Sequence, residues 1–390
     1  MPMPDAPADP VPGPDADPVP GPDADPVASP DAETGDTAPT VDLIASSAAR
    51  CGLVRERVRL TEKVHAEAGY CVGVRVLENK TRYNEVEDTG GTFRTLRRPQ
   101  VLVGALGARQ ALKGYSGGVP DRIDVGDELH VLNKGGIIGR CSSAHPDLGP
   151  PLRVKVLGGV QASSGDRAAC LQAHALPPVD TLTDSAPLVM VSGSSMDTGK
   201  TVAACALIEQ LAAQGWRVAA AKLTGAALQR DVRRMASDGA IATATFTDAG
   251  VVSSTACDMR PRAKGIIAHL NEDAPDGGGP PDVIVIELGD GFIGPYGVAG
   301  LLGDRQLRHF TRAHVVTAAD LAGAWAADHF FRERFEAPVT AFTGPVTDNA
   351  VGRDYIEDVL GSPAHNALQQ PEALVERVAE ALGAPAPASS

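Results

Sequence analysis

Residues 191–201 read Val191-Ser-Gly193-Ser194-Ser195-Met196-Asp197-Thr198-Gly199-Lys200-Thr201. The apolar run Leu188-Val-Met-Val191 precedes them, and a helix-forming segment around Lys200–Gln214 follows. A glycine-rich turn between strand and helix aims backbone N–H groups and the positive end of the helix dipole at an anion. In that setting Gly193 to Val202 would wrap a nucleotide's phosphates. Lys200 would reach the β- and γ-phosphates, and the Thr201 hydroxyl would ligate Mg²⁺. The usual spacing places a glycine where this chain has Ser194; here it stands one residue earlier, at Gly193. The flanking strand and helix decide the reading. Asp197 is either a general base beside the γ-phosphate or a turn residue.

Further candidates stand at the ends of later apolar runs, where open α/β sheets bind their ligands. Lys222 closes Arg217-Val-Ala-Ala-Ala-Lys222. Glu287 closes Asp282-Val-Ile-Val-Ile-Glu287 and leads into Gly289-Asp290-Gly291; a carboxylate after a buried run and before that loop reads as a metal ligand or as an ordinary exposed group. Asp290 reads as a loop cap or as a catalytic or metal group. Asp231 lies among arginines in Gln229-Arg-Asp-Val-Arg-Arg-Met235, so ion pairing competes with metal binding. Asp348 and Asn349 follow the run Val339–Phe342, where they would read a purine edge or cap the next helix.

The Gly193-to-Thr201 spacing resembles the phosphate loop of dethiobiotin synthetase and its MinD-like relatives among P-loop NTPases. The resemblance covers about residues 188–350. It implies that Lys222 lies near the phosphates and the substrate, that Glu287 is linked to Mg²⁺, and that Asp231 or Asp248 supplies a third acidic group. Ser195 stands where those synthetases carry Asp, and the MinD signature lysine is missing from the loop. The resemblance therefore implies ATP or GTP and Mg²⁺ as cofactors and leaves the substrate open.

Positioning such groups calls for a particular scaffold. From 188 to 383, apolar runs alternate with helical stretches at 200–214, 261–271, 320–335, 349–360 and 371–382, which predicts an α/β P-loop NTPase domain, a parallel sheet with helices on both faces. Residues 50–160 hold short runs such as Tyr70–Leu77, Gln100–Val103 and Glu128–Leu132, separated by glycine turns. Leu152-Arg-Val-Lys-Val-Leu157 alternates as a half-buried strand does. The expectation is a small β-rich barrel or sandwich that receives a substrate or partner, joined through a linker at 161–187. Residues 1–45 are read as a disordered tail: the unit Asp-Pro-Val-Pro-Gly-Pro-Asp-Ala begins at Asp9 and again at Asp17, with little to bury.

The first forty residues hold eight Asp and Glu33 with no Lys or Arg, so they account for nine of the fourteen net negative charges. The remainder is mildly acidic, which argues against nucleic acid as a partner. Between Thr89 and Pro120 lie Arg94, Arg97, Arg98, Arg109 and Lys113 with no acid, a patch that either balances the acidic tail or recruits an anion. No apolar run reaches the ~20 residues that span a bilayer, and the start is acidic and proline-rich. The six cysteines form no C-x-x-C pair. These features predict a cytoplasmic protein with free thiols, no membrane partner and no metal cage.

The function expected is an Mg²⁺-dependent kinase that moves a phosphoryl group from ATP or GTP to a small anionic or polar acceptor, such as a nucleoside or sugar acid of specialised metabolism. Lys200 and Lys222 would neutralise charge, Asp197 or Asp290 would take the acceptor proton, and Thr201, Glu287 and Asp231 would hold the metal. Alternatives on the same residues are a carboxylate-activating ligase or cyclase, an acyltransferase with a nucleotide-containing donor, and a regulatory NTPase. A homodimer is implied by the resemblance alone.

Overall fold

Alternating side chains organise the amino-terminal half of the computed structural model, which describes residues 40–383 apart from 164, 256 and 273. Its strands are β1 (Leu43–Ile44), β2 (Leu60–Thr61), β3 (Cys71–Val76), β4 (Glu85–Glu87), β5 (Phe93–Thr95), β6 (Val101–Leu106), β7 (Tyr115–Gly118), β8 (Glu128–Val131), β9 (Ile137–Ala144) and β10 (Leu152–Val160). In β10, Leu152, Val154 and Val156 are buried while Arg153 and Lys155 face solvent, as the strict alternation requires. The strands β6, β3, β10, β8 and β9 pair in that order, and a parallel pairing of β6 with β9 joins the two ends of the path. Up to residue 39 the expected tail lies outside the described residues. Beyond it, Leu43 and Ile44 pair in parallel with Leu102 and Val103, so the sheet begins inside the span read as tail.

Six parallel strands build the second half: β11 (Leu188–Gly193), β12 (Val218–Thr224), β13 (Ala242–Thr245), β14 (Val283–Leu288), β15 (Thr311–Thr317) and β16 (Ala341–Thr343). Their order across the sheet is β13-β12-β14-β11-β15-β16. Each central strand is apolar on both faces, as a sheet covered twice requires. Leu188, Met190, Ile284 and Ile286 pack into one core, and Val189, Val191, Val283 and Val285 into the other. The helices are α1 (Lys200–Ala213), α2 (Arg230–Ser237), α3 (Arg260–Leu270), α4 (Val298–Leu302), α5 (Arg305–Phe310), α6 (Leu321–Phe330), α7 (Ala350–Tyr355) and α8 (Pro371–Leu382). The parallel sheet, its covering helices and a glycine-rich loop between β11 and α1 give this half a P-loop NTPase-like architecture.

The two halves share a core. Ala227 and Val252, from loops of the α/β half, pack with Val103, Leu132 and Ile137 of the β-rich half. Asn133 Nδ2 donates to the Ala227 carbonyl at 2.8 Å. The segment 161–187 runs along both halves: Tyr70 bridges Cys170, and the Leu176 amide donates to the Asp248 carbonyl at 2.7 Å. No helix among the described residues is long and apolar enough to cross a membrane.

Candidate functional site

The loop from Ser194 to Gly199 turns the chain from the centre of the sheet into α1. Close approach explains where the glycine stands. A Cβ at Gly193 would lie 2.6 Å from the hydroxyls of both Thr198 and Thr317. Those hydroxyls meet each other at 2.6 Å, and the Ser194 amide donates to the Thr317 carbonyl at 2.9 Å. The register of β11 against β15, with Gly193 opposite Thr317, brings them together. Gly199 and Asp197 both take positive φ, +87° and +59°, and Asp197 is exposed at the turn. A non-glycine residue in that region costs about 1–3 kcal/mol and persists only where its surroundings hold it.

Lys200 is buried and folds back over the loop, its Nζ donating to the Ser195 carbonyl at 2.6 Å. Burial, with the nearby Lys222 charge adding to it, pulls its pKa down to about 8. The lysine is thus poised to gain from an incoming anion. Thr201 occupies the first turn of α1.

Beside the loop, two strand ends meet in register: Lys222 on β12 lies opposite Glu287 on β14. Lys222 Nζ donates to Glu287 Oε1 at 2.9 Å and to Asp231 Oδ2 on α2. Asp231 and Glu287 are buried, and Lys222 keeps only a small exposed fraction. Burial opposes the lysine charge, yet Glu287 and Asp231 overcome it and hold Lys222 well above an ordinary lysine. Burial likewise opposes the Asp231 charge, and Lys222 outweighs it and lowers the carboxyl. The other Asp231 oxygen accepts from Arg230 Nε at 3.3 Å, so both of its oxygens are engaged by cations.

Glu287 Oε2 is different. It is buried with no hydrogen-bond partner. An orphaned carboxylate oxygen beside a phosphate loop fits Mg²⁺, which takes one or two protein oxygens and completes its shell with phosphates and water. Thr201 and Glu287 are the residues that would hold it.

A cavity of about 740 Å³ is lined by Met196 to Val202, Lys222, Arg230, Asp231, Arg234, Glu287, Gly289 and Asp290. It gathers most of the candidates read from sequence. Arg230 and Arg234 were not among those candidates; their four-residue spacing, which puts both on one face of α2, was the available signal. Asp348 and Asn349 are not in this lining. Asp348 Oδ1 accepts from Asn366 Nδ2 at 2.9 Å, and Asn349 stands at the start of α7. Asp248 lies away from the cavity, caps its own turn through the Thr245 amide and pairs with Arg50 at 3.3 Å.

Asp290 also lines a second cavity of about 560 Å³ between the two halves, with Ser194, Ser195 and Ile293 on one side and Arg109, Leu112, Ser116 and Ser142 on the other. Asp290 takes a positive φ of +73°, and burial raises its carboxyl above the ordinary range while Lys200 and Arg109 pull it partly back. Arg109 is buried, bonds Tyr83 Oη at 2.8 Å and the Leu132 carbonyl, and leaves Nε without a partner. Leu112 and Ile293 are strongly exposed at the cavity rim.

No known protein-family model matches the chain, and no curated protein matches it. Among solved structures, similarity is found to a DUF1611 family protein from Anabaena variabilis, 14% identical over 52% of this chain and 61% of that one, with a TM-score of 0.38. Chloroplast FtsY from Physcomitrella patens is 17% identical over 53% of this chain and 70% of its own, at 0.32. The 54 kDa signal recognition particle protein of Aeropyrum pernix, in complex with GDP, is 16% identical over 53% and 48%, at 0.33. The match therefore spans about three-fifths of the DUF1611 protein. At these identities and TM-scores the likeness defines neither substrate nor activity. The narrower likeness to the dethiobiotin synthetase and MinD branch is carried by the sequence motifs alone.

Proposed function

We propose that the protein is an Mg²⁺-dependent enzyme that transfers a phosphoryl group from ATP or GTP to a small anionic or polar acceptor. The observation that carries this reading is the position of Asp290 in the walls of both cavities. A triphosphate wrapped by the loop would present its γ-phosphate at the border where an acceptor in the second cavity could approach. The loop amides and Lys200 would bind the phosphate chain, and Lys222 would offset charge that develops in transfer. Bound Mg²⁺, held by Thr201 and Glu287, would neutralise phosphate oxygens. Asp290, whose carboxyl burial makes more basic than usual, would accept the proton of the acceptor hydroxyl. Arg109 supports an anionic acceptor, since a buried guanidinium without a carboxylate partner is costly unless a ligand supplies one.

The test is ³¹P NMR of the full-length protein with Mg²⁺ and ATP or GTP, with and without a pool of nucleosides and sugar acids. A phosphomonoester signal growing with the diphosphate, and lost in Lys200→Ala and Asp290→Asn, is the expected result. Inorganic phosphate alone with every acceptor would overturn phosphoryl transfer, and phosphate released in step with C–N bond formation would point to a ligase.

A further inference from the structure

At the edge of the α/β sheet opposite the nucleotide loop, a separate cleft of about 570 Å³ opens beside the start of β15. Its walls carry Arg305, Arg308 and His309 from α5, Arg312 and His314 from β15, and Glu336. Three guanidiniums face one carboxylate, so two positive charges stay uncompensated. Nearby acids are already taken: Asp304 pairs with Lys264 at 3.0 Å and Asp328 with Arg332 at 2.9 Å. Among the described residues, Arg305, Arg308 and Arg312 have no ion pair.

His314 supplies an independent observation. It lies in the same wall, nine-tenths buried, and its Nδ1 has no hydrogen-bond partner. Its ring packs edge-on against Phe331 at 5.3 Å. Burial, with the Arg308 charge adding to it, lowers its pKa to about 4, so at neutral pH it brings polarity without charge. Arg312 is held in place by a 2.8 Å bond from Nη1 to the His309 carbonyl.

We propose that this cleft binds a small molecule carrying a phosphate group, at a site distinct from the nucleotide loop. The volume suits a small molecule rather than a polymer, since ligand pockets run at about 300–1,000 Å³. The surplus of two positive charges matches a phosphate monoester, which carries about −1.5 to −2 near pH 7. Guanidinium forks bind phosphate in bidentate fashion. Separation follows from β15 itself: Thr317, which touches the loop, lies three residues beyond His314, and a strand rises about 3.3 Å per residue.

The experiment uses full-length protein carrying Lys200→Ala, so that the loop lysine contributes nothing, and inorganic pyrophosphate as probe. Calorimetric titration should show binding that persists in this background and weakens about tenfold or more when Arg308→Ser and Arg312→Ser are added. In ¹H–¹³C spectra the His314 ring signals should move as pyrophosphate saturates. Should the double substitution disturb folding, Arg305→Ser alone must weaken binding in the same direction. Binding indifferent to these arginines, or His314 signals that stay in place, would overturn the proposal.

Discussion

Lys222 holds two buried carboxylates, Asp231 and Glu287, where one would already neutralise it. Lys222→Met would leave Glu287 buried and unpaired and Asp231 with Arg230 alone, at a cost of about 3–5 kcal/mol, measurable by urea unfolding. The pH dependence follows from the two shifts. Asp231 is lowered from 3.8, so its contribution is complete above that value and is lost as pH falls through its depressed pKa. Lys222 is raised from 10.5, so its contribution is complete below that value and is lost only as pH rises through the raised one. Between these limits Lys222→Met should cost a constant amount. Lys200 gives a second residue-scale prediction. With its pKa near 8, a bound triphosphate must return a proton to it in alkaline solution. Nucleotide affinity should therefore fall as pH rises through about 8, and Lys200→Arg, always charged, should flatten that slope in a binding titration.

At the scale of elements, α2 is held from outside its own half. Glu87 on β4 is fully buried, and its Oε2 accepts from the Gln229 amide at 2.7 Å, at the start of the helix that carries Asp231. Arg233 on the same helix reaches back to the Thr89 carbonyl at 2.6 Å. The β-rich half thus helps to place one member of the lysine cluster. Glu87→Ala would leave the half-buried Gln229 N–H without its partner, at a cost of about 1 kcal/mol. Hydrogen exchange should quicken at residues 229–233, while β14, secured by ladders on both sides, should stay protected.

Across the whole molecule, the seam between the halves depends on close backbone approach. A Cβ on Gly135 would lie 1.7 Å from the Ala227 carbonyl oxygen, a backbone atom that cannot swing aside. Gly135→Ala should destabilise the protein by about 1–3 kcal/mol or more through overpacking, read as a lowered midpoint of thermal unfolding. Because Ala227 and Val252 complete the core of the β-rich half, the loss should appear in both halves together. Unfolding of one half at an unchanged temperature would contradict a shared core.

Local chemistry made the centre of the site legible in the amino-acid sequence. A strand, a glycine-rich turn and a helix are neighbours along the chain, so their spacing already marks Lys200 and Thr201 as candidate phosphate and metal groups, and short apolar or alternating runs mark strands such as β3, β10, β11 and β14. Other features depend on distant contacts. Helix α2 has four charged residues among eight, and β13 reads Ala-Thr-Ala-Thr, so neither carries an apolar pattern of its own. Packing against β12 makes both possible. Only the register of β12 against β14 sets Lys222 beside Glu287, and only the seating of one half on the other places Arg109 and Asp290 around a common cavity. Such pairings join residues far apart along the chain, and their energy comes from burial and matched charge that exist only once the sheets have formed.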